Sequence, residues 1–205
     1  GEGEKSNNGP TVSASAIMAA LATTDVIITT TGDGTDEGNI NVNSSITYGG
    51  AGDLYLKAYN DININADITV NNSAGLYLQY GWSGSGNNYG NRGGINLKMN
   101  ADHTAFDAKV TLNDTSKFYS VGDAGGVGVE YTVIKDATQL AAIMTNMTGT
   151  DDVSNVRYVL GSDITSGMEN WTQIQGDFQG KFDGLGHSIK GMTILSPEGD
   201  NFRGL

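Results

Sequence analysis

Residues 39–59 read NINVNSSITYGGAGDLYLKAY, and residues 61–81 read DININADITVNNSAGLYLQYG. Laid one over the other, Ile40 falls on Ile62, Val42 on Ile64, Ile46 on Ile68, Leu54 on Leu76 and Leu56 on Leu78, all at an offset of 22 residues. Within each copy apolar residues alternate with polar ones, the pattern of a strand with one buried face. Glycine and asparagine turns divide each copy into three such strands. One copy buries about six side chains at roughly 1.5–3 kcal/mol each, while ordering its backbone costs about 1–2 kcal/mol per residue, so a copy does not fold alone. Stacking the copies resolves the deficit, because each inward side chain then rests on its counterpart about 4.8 Å away. The expected fold is all-β, a parallel β-helix (β-solenoid) with coils of about 22 residues and one or two short helices.

A third, looser copy follows. GINLKMN at 94–100 supplies Ile95, Leu97 and Met99, then come Phe106, Val110 and Leu112. Its offset grows to 33 because GWSGSGNNYGNRG, at 81–93, is inserted between coils. The outward positions stack as well: Asn41, Asn63 and Asn96 form one expected ladder, Asn43 lies over Asn65, and Tyr55 over Tyr77. Asparagine ladders supply amide hydrogen bonds along a stack, so these residues read as structural.

Composition agrees with a turn-rich β protein. Of 205 residues 30 are glycine, 20 asparagine and only 2 proline. Collagen is excluded, since there is no G-X-Y period. Hydrophobic residues at 38 % and charged ones at 17 % argue against a disordered tail. The net charge of −12 repels phosphate backbones and anionic membrane surfaces, so no nucleic-acid partner is expected. Without cysteine there are no disulfides, no thiolate catalysis and no cysteine zinc sites. No apolar run approaches the roughly 20 residues that span a bilayer, and no membrane insertion is expected. The sequence opens at Gly1 rather than Met and reads as a processed or excised piece.

The flanks set the domain organisation. Residues 1–25 form a lead-in whose short amphipathic helix, over 12–21, carries Val12, Ile17 and Leu21. Residues 26–121 form a solenoid block with the insertion at 81–93. Residues 122–150 form a junction whose helix, DATQLAAIMTNM, has Asp136 as N-cap and Gln139 at the capping-box position. Residues 151–205 form a second block.

The progression TTDVIITTTGDGTDEGNINVNSSITY, LYLKAYNDININADITV, YTVIKDATQLAAI, YVLGSDI and FQGKFDGLGHSIKGMTI resembles large bacterial exoproteins of the two-partner-secretion type, the filamentous-haemagglutinin and high-molecular-weight adhesins. The segment from Gly180 to Ile194 resembles the GLUG motif, whose pattern G-x-F-D-G-x-G-H-x-I is met by Gly180, Phe182, Asp183, Gly184, Gly186, His187 and Ile189. The resemblance covers roughly residues 12–195. It implies a right-handed parallel β-helix, secretion to the cell surface through an outer-membrane two-partner transporter, and attachment to host cells or other surfaces. The N-terminal secretion domain that engages the transporter is missing from this sequence, so the piece is expected to come from the shaft or a binding region. The GLUG copy is single. The insertion at 81–93 and the glycine-rich GDAGGVGVE at 122–130 depart from the family pattern and are the places to look for specific function.

In the 81–93 loop, Trp82, Asn87, Asn88, Tyr89 and Arg92 stand among glycines and serines. Aromatic faces stack on sugar rings, while asparagine amides and an arginine fork bind hydroxyls or the carboxylate of an acidic sugar. Trp82 and Arg92 are the expected anchors, with Tyr55, Tyr77 and Lys57 extending the surface. The competing reading is an ordinary loop whose tryptophan packs on the coil below. Catalysis is not expected. At the 22-residue offset Asp53 falls on Gly75, Asp61 on Asn39 and Asp67 on Ser45, so no acidic pair forms. His187 belongs to the GLUG turn, where it reads as a hydrogen-bonding residue. GDGTDEG, with Asp33, Asp36 and Glu37, matches no calcium loop and reads as a solvated acidic corner; no metal and no cofactor are expected. Sequons at Asn43, Asn71, Asn113, Asn146 and Asn170 follow from the abundance of asparagine and threonine. The expected function is glycan recognition by a secreted surface adhesin, against a purely structural shaft segment and a polysaccharide lyase or hydrolase.

Overall fold

The computed structural model describes residues 9–32, 36–121, 128–147, 156–171, 178 and 180–194. Among them the chain is mostly β, with two short helices and parallel sheets of stacked strands. Strands β2 (Ile40–Val42), β5 (Ile62–Ile64) and β8 (Ile95–Leu97) form one parallel sheet, with Ile40, Ile62 and Ile95 in register. Strands β3 (Ile46–Tyr48), β6 (Ile68–Val70) and β9 (Val110–Leu112) form a second, with Ile46, Ile68 and Val110 in register. The third sheet begins with β1 (Val26–Thr29), β4 (Leu54–Lys57), β7 (Gly75–Gln79) and β10 (Lys117–Val121), also parallel. Each repeat thus gives one strand to each sheet. The inward side chains of all three meet in one core, where Leu54, Leu76 and Phe118 form a fully buried column.

Four corners use an aspartate or asparagine in the same way. Asp25 Oδ1 accepts the Asp53 N–H at 2.9 Å, and Asp53 Oδ1 accepts the Gly75 N–H at 2.7 Å. Asn39 Oδ1 takes the Asp61 N–H at 3.0 Å and Asp67 Oδ1 the Lys109 N–H at 2.9 Å. A short side-chain acceptor just before a strand thereby fastens the chain one coil further on. The expected asparagine ladder forms too: Asn63 Nδ2 donates to Asn41 Oδ1 at 2.8 Å, Asn96 Nδ2 to Asn63 Oδ1 at 2.9 Å, and Asn65 Nδ2 to Asn43 Oδ1 at 2.8 Å.

Helix α1 (Ala14–Leu21) closes one end of the stack. Ser13 caps it, accepting the Ala16 N–H at 3.2 Å, and Ile17 and Leu21 are buried. Val12, expected on the same apolar stripe, precedes the cap and is exposed. A second difference lies in the third repeat. Ile95 pairs Ile62 at the expected offset of 33, but Val110 pairs Ile68 at an offset of 42, so a further insertion separates β8 from β9. It is a small hairpin in which Met99 bridges Phe106 and Asn100 Oδ1 accepts the Thr104 and Ala105 N–H groups. The hairpin lifts Phe106 out of the core, leaving it 42 % exposed.

The third sheet then changes direction. Strand β11 (Val129–Ile134) pairs antiparallel with β10, Phe118 opposite Tyr131, and β12 (Arg157–Leu160) and β13 (Lys181–Asp183) continue parallel to β11. The parallel β-helix is expected in two blocks joined over 122–150; the antiparallel turn at that junction is the difference from an all-parallel coil. The physical reason is chain length: only residues 122–128 separate the two strands, whereas a parallel return needs a dozen or more.

Beyond the reversal both faces of the sheet are covered. Tyr131, Val133 and Val159 join the first core, while Ile134, Tyr158 and Leu160 join a second with Leu140 and Ile143 of helix α2 (Ala137–Met147), Ile164, Met168 and Trp171. Asp136 accepts the Gln139 N–H at 2.8 Å, as a cap should, but Gln139 Oε1 takes the N–H of Lys135, one residue before the capping-box position. The second block also repeats, since Arg157 pairs Lys181, Ile164 pairs Ile189 and Trp171 pairs Ile194. It abuts the first block along β9: the Val110 and Leu112 N–H groups donate to the Leu185 and Gly161 carbonyls at 3.0 Å each.

Candidate functional site

On the outward face of the third sheet, register sets Ile27, Tyr55, Tyr77, Tyr119 and Glu130 side by side. The Tyr55 and Tyr77 rings stack with centroids 4.1 Å apart and planes 13° apart; Tyr77 and Tyr119 stack at 4.5 Å and 5°. Tyr119 continues the row that Tyr55 and Tyr77 predict. Two insertions separate it from Tyr77 by 42 residues, which hides it from a search at one offset. Its hydroxyl donates to Glu130 Oε2 at 2.9 Å. Burial, then the Tyr55 hydroxyl, pushes the Tyr77 pKa up, and burial and Glu130 do the same to Tyr119. Tyr77 and Tyr119 therefore stay un-ionised near neutral pH. Because the rings lie face on face, Tyr77 has no free π-face for a sugar to stack on. The row offers phenol edges and hydroxyls instead.

The 81–93 insertion is a tight hairpin beside this row. Trp82 bridges Tyr89, the Ser83 N–H donates to the Asn88 carbonyl at 2.9 Å, and the Gly90 N–H donates to the Gly81 carbonyl at 2.7 Å. Trp82 Nε1 donates within the loop to the Gly86 carbonyl at 2.9 Å, and its backbone N–H donates to the Ala58 carbonyl of the coil below at 2.8 Å. Trp82 and Tyr89 are half-buried, and Asn87 and Asn88 are exposed. The Tyr89 hydroxyl is closed off without a hydrogen-bond partner, and burial pushes its pKa up.

Arg92, expected to present a fork to a ligand, is turned to the protein instead. Its Nε donates to the Tyr59 carbonyl at 2.9 Å and its Nη2 to the Trp82 carbonyl at 3.2 Å, and the guanidinium lies 3.8 Å over the Tyr59 ring. Tyr59 in turn packs on Gly32, where any side chain would run into the ring. Sequence reasoning missed Tyr59, which sits just past the last alternating residue of β4 and carries no periodic signal. Lys57, two residues beyond Tyr55 on β4, holds its ammonium 5.7 Å over the Trp82 ring. Trp82, Lys57, Tyr55 and Tyr77 are thus brought to one surface, while Arg92 serves the loop's attachment.

Elsewhere, the buried His187 ring donates through Nε2 to the Val110 carbonyl at 2.9 Å. Asp33 lies outside the described residues, and Glu37 Oε2 accepts the Asn39 Nδ2 hydrogen bond at 2.6 Å. Among the described residues no three His, Asp or Glu side chains gather as a metal would need, and no helix is long and apolar enough to cross a membrane. Compared with known proteins, the chain matches no family model, no curated protein and no solved structure.

Proposed function

We propose that the chain is a segment of a secreted bacterial surface adhesin of the two-partner-secretion type, a right-handed β-solenoid whose outer face binds host or surface glycans. The repeat register and the order of segments support the solenoid. The observation that carries the binding reading is the row Tyr55, Tyr77 and Tyr119, half-buried on a sheet face next to the Trp82–Lys57 pair. Aligned phenols beside an indole give the mixed apolar and hydroxyl surface that sugars need. Export would depend on an outer-membrane two-partner transporter. A second reading, a shaft segment that only holds a distant tip away from the cell, is favoured by the spending of Arg92 and of the Trp82 indole N–H on loop carbonyls.

A glycan array probed with the parent and with Trp82→Ala and Tyr77→Ala separates these. The adhesin reading expects binding that both variants weaken. A parent that binds no glycan selects the shaft, binding untouched by both variants removes this face, and cleavage of a polymer moves the reading to a lyase or hydrolase.

A further inference from the structure

We infer that the glycan this face takes is uncharged rather than acidic, and that it lies along the tyrosine row from Ile27 towards Glu130 with its hydroxyls on the phenol edges; the inference rests on the glycan-binding reading above.

The charges near the row decide the ligand's class. An acidic sugar needs a cation free to meet its carboxylate, and Arg92 is not free: two of its nitrogens bond backbone carbonyls and its plane covers Tyr59. Lys57 is drawn onto the Trp82 ring, and Lys117 stands one rung beyond Gly75 at the start of β10. Against these two cations the strand starts and the end of the row carry Asp25, Asp53 and Glu130, on a chain whose net charge is −12. A polyanion laid across the sheet would bring a like charge to each of these carboxylates.

The row itself suits hydroxyls. With both faces of Tyr77 closed by stacking, the row meets a ligand through phenol edges; the Tyr119 hydroxyl gives its proton to Glu130 and keeps acceptor lone pairs, while a phenol hydroxyl otherwise has the donor and acceptor complement of a sugar hydroxyl. The rungs recur at the spacing of the strands, so a linear glycan running across them meets an equivalent phenol at each step. At the far end Tyr119 donates to one Glu130 oxygen, which leaves the other oxygen to accept from a sugar hydroxyl.

The test titrates the full chain, by calorimetry or NMR shifts, with a neutral β-glucan hexasaccharide and with a hexagalacturonate, at low and at physiological salt. The expected result is binding of the neutral sugar that salt leaves unchanged, with the acidic one about tenfold or more weaker. Glu130→Gln should narrow that gap, and Tyr77→Phe, which keeps the ring stack, should weaken the neutral sugar by about threefold to tenfold. An acidic sugar that binds as tightly as the neutral one, through a contact that salt weakens, overturns the inference and leaves glycan binding standing. So does neutral-sugar binding lost in Trp82→Ala but unaffected by Tyr77→Phe and Glu130→Gln. Self-association of the chain that Tyr77→Ala abolishes would give the face to a second copy and overturn it as well. Failure of both hexasaccharides and of the glycan array sinks the adhesin reading itself.

Discussion

The Arg92 guanidinium covers the ring of Tyr59 at 3.8 Å while its Nε–H donates to the carbonyl of the same residue at 2.9 Å. One side chain thereby grips both the main chain and the ring of Tyr59, and a further bond to the Trp82 carbonyl ties the base of the hairpin to the coil below. Arg92→Ala removes the fork and leaves two part-buried carbonyls without it, a loss of about 1–3 kcal/mol. Arg92→Lys keeps the charge but cannot reach both carbonyls in one plane, and should recover little. The denaturant midpoint gives the cost, and limited proteolysis should place the first cut between residues 81 and 93. Midpoints equal to the parent's in both variants would mean that the loop is held by other contacts.

The asparagine ladder has a direction, and the direction makes a prediction. Asn96 donates to Asn63 and Asn63 donates to Asn41, so Asn41 only accepts. Aspartate accepts as well as asparagine but cannot donate. Asn41→Asp should therefore be tolerated within about 0.5 kcal/mol, whereas Asn63→Asp and Asn96→Asp each lose one donor and set oxygen against oxygen, at about 0.5–1.5 kcal/mol. Thermal melts of the three variants check the order. An Asn41→Asp cost equal to the other two would show that the ladder does not run this way.

The parts of the fold that repeat were legible. Five inward positions at one offset predict the rungs of three sheets, and the outward Asn41, Asn63 and Asn96 predict their own ladder. What failed to show was whatever broke the period. The hairpin that holds Phe106 alternates like the strands around it, so its residues pass for rungs. The strand reversal depends on the shortness of the 122–128 connection, which is a matter of chain reach and not of side-chain pattern. At the candidate site the structure brings four of the residues picked out by type, Trp82, Tyr55, Tyr77 and Lys57, onto one surface. The role of Arg92 depended on Tyr59 and on backbone carbonyls, which carry no sequence signal.

Asp163 joins the two blocks. Its Oδ2 accepts from Lys109 Nζ at 2.9 Å, and its Oδ1 accepts the Ser188 N–H at 2.7 Å. Burial alone would push its carboxyl up, but Lys109 and Ser188 together hold it well below the usual carboxylate range. A carboxyl depressed in the folded state gives stability that is complete above its unfolded pKa of about 3.9 and is lost as pH falls below that towards the folded value. Asp163→Asn keeps an acceptor for Ser188 and loses the charge facing Lys109. Its cost, about 1 kcal/mol or less for a part-exposed pair, should be present near neutral pH and shrink below about pH 4. Denaturant midpoints of parent and variant across that range test it, and a difference that grows in acid would contradict the assignment.

Two apolar residues that alternation alone ranks together should behave very differently when cut back to alanine. Leu76 is fully buried, with Leu54 in register on one side and Phe118 on the other. Leu76→Ala opens a void in the middle of a three-rung column that the neighbouring strands, pinned by ladder hydrogen bonds, cannot close, and should cost about 2–5 kcal/mol. Phe106 has the same alternation around it but sits on the hairpin that bypasses the core, 42 % exposed and bridged only to Met99. Phe106→Ala should stay within about 1 kcal/mol of the parent. Equilibrium unfolding of both variants reads the contrast directly. A loss at Phe106 as large as that at Leu76 would put Phe106 back in the column and remove the second insertion, and with it the 42-residue register that brings Tyr119 onto the tyrosine row.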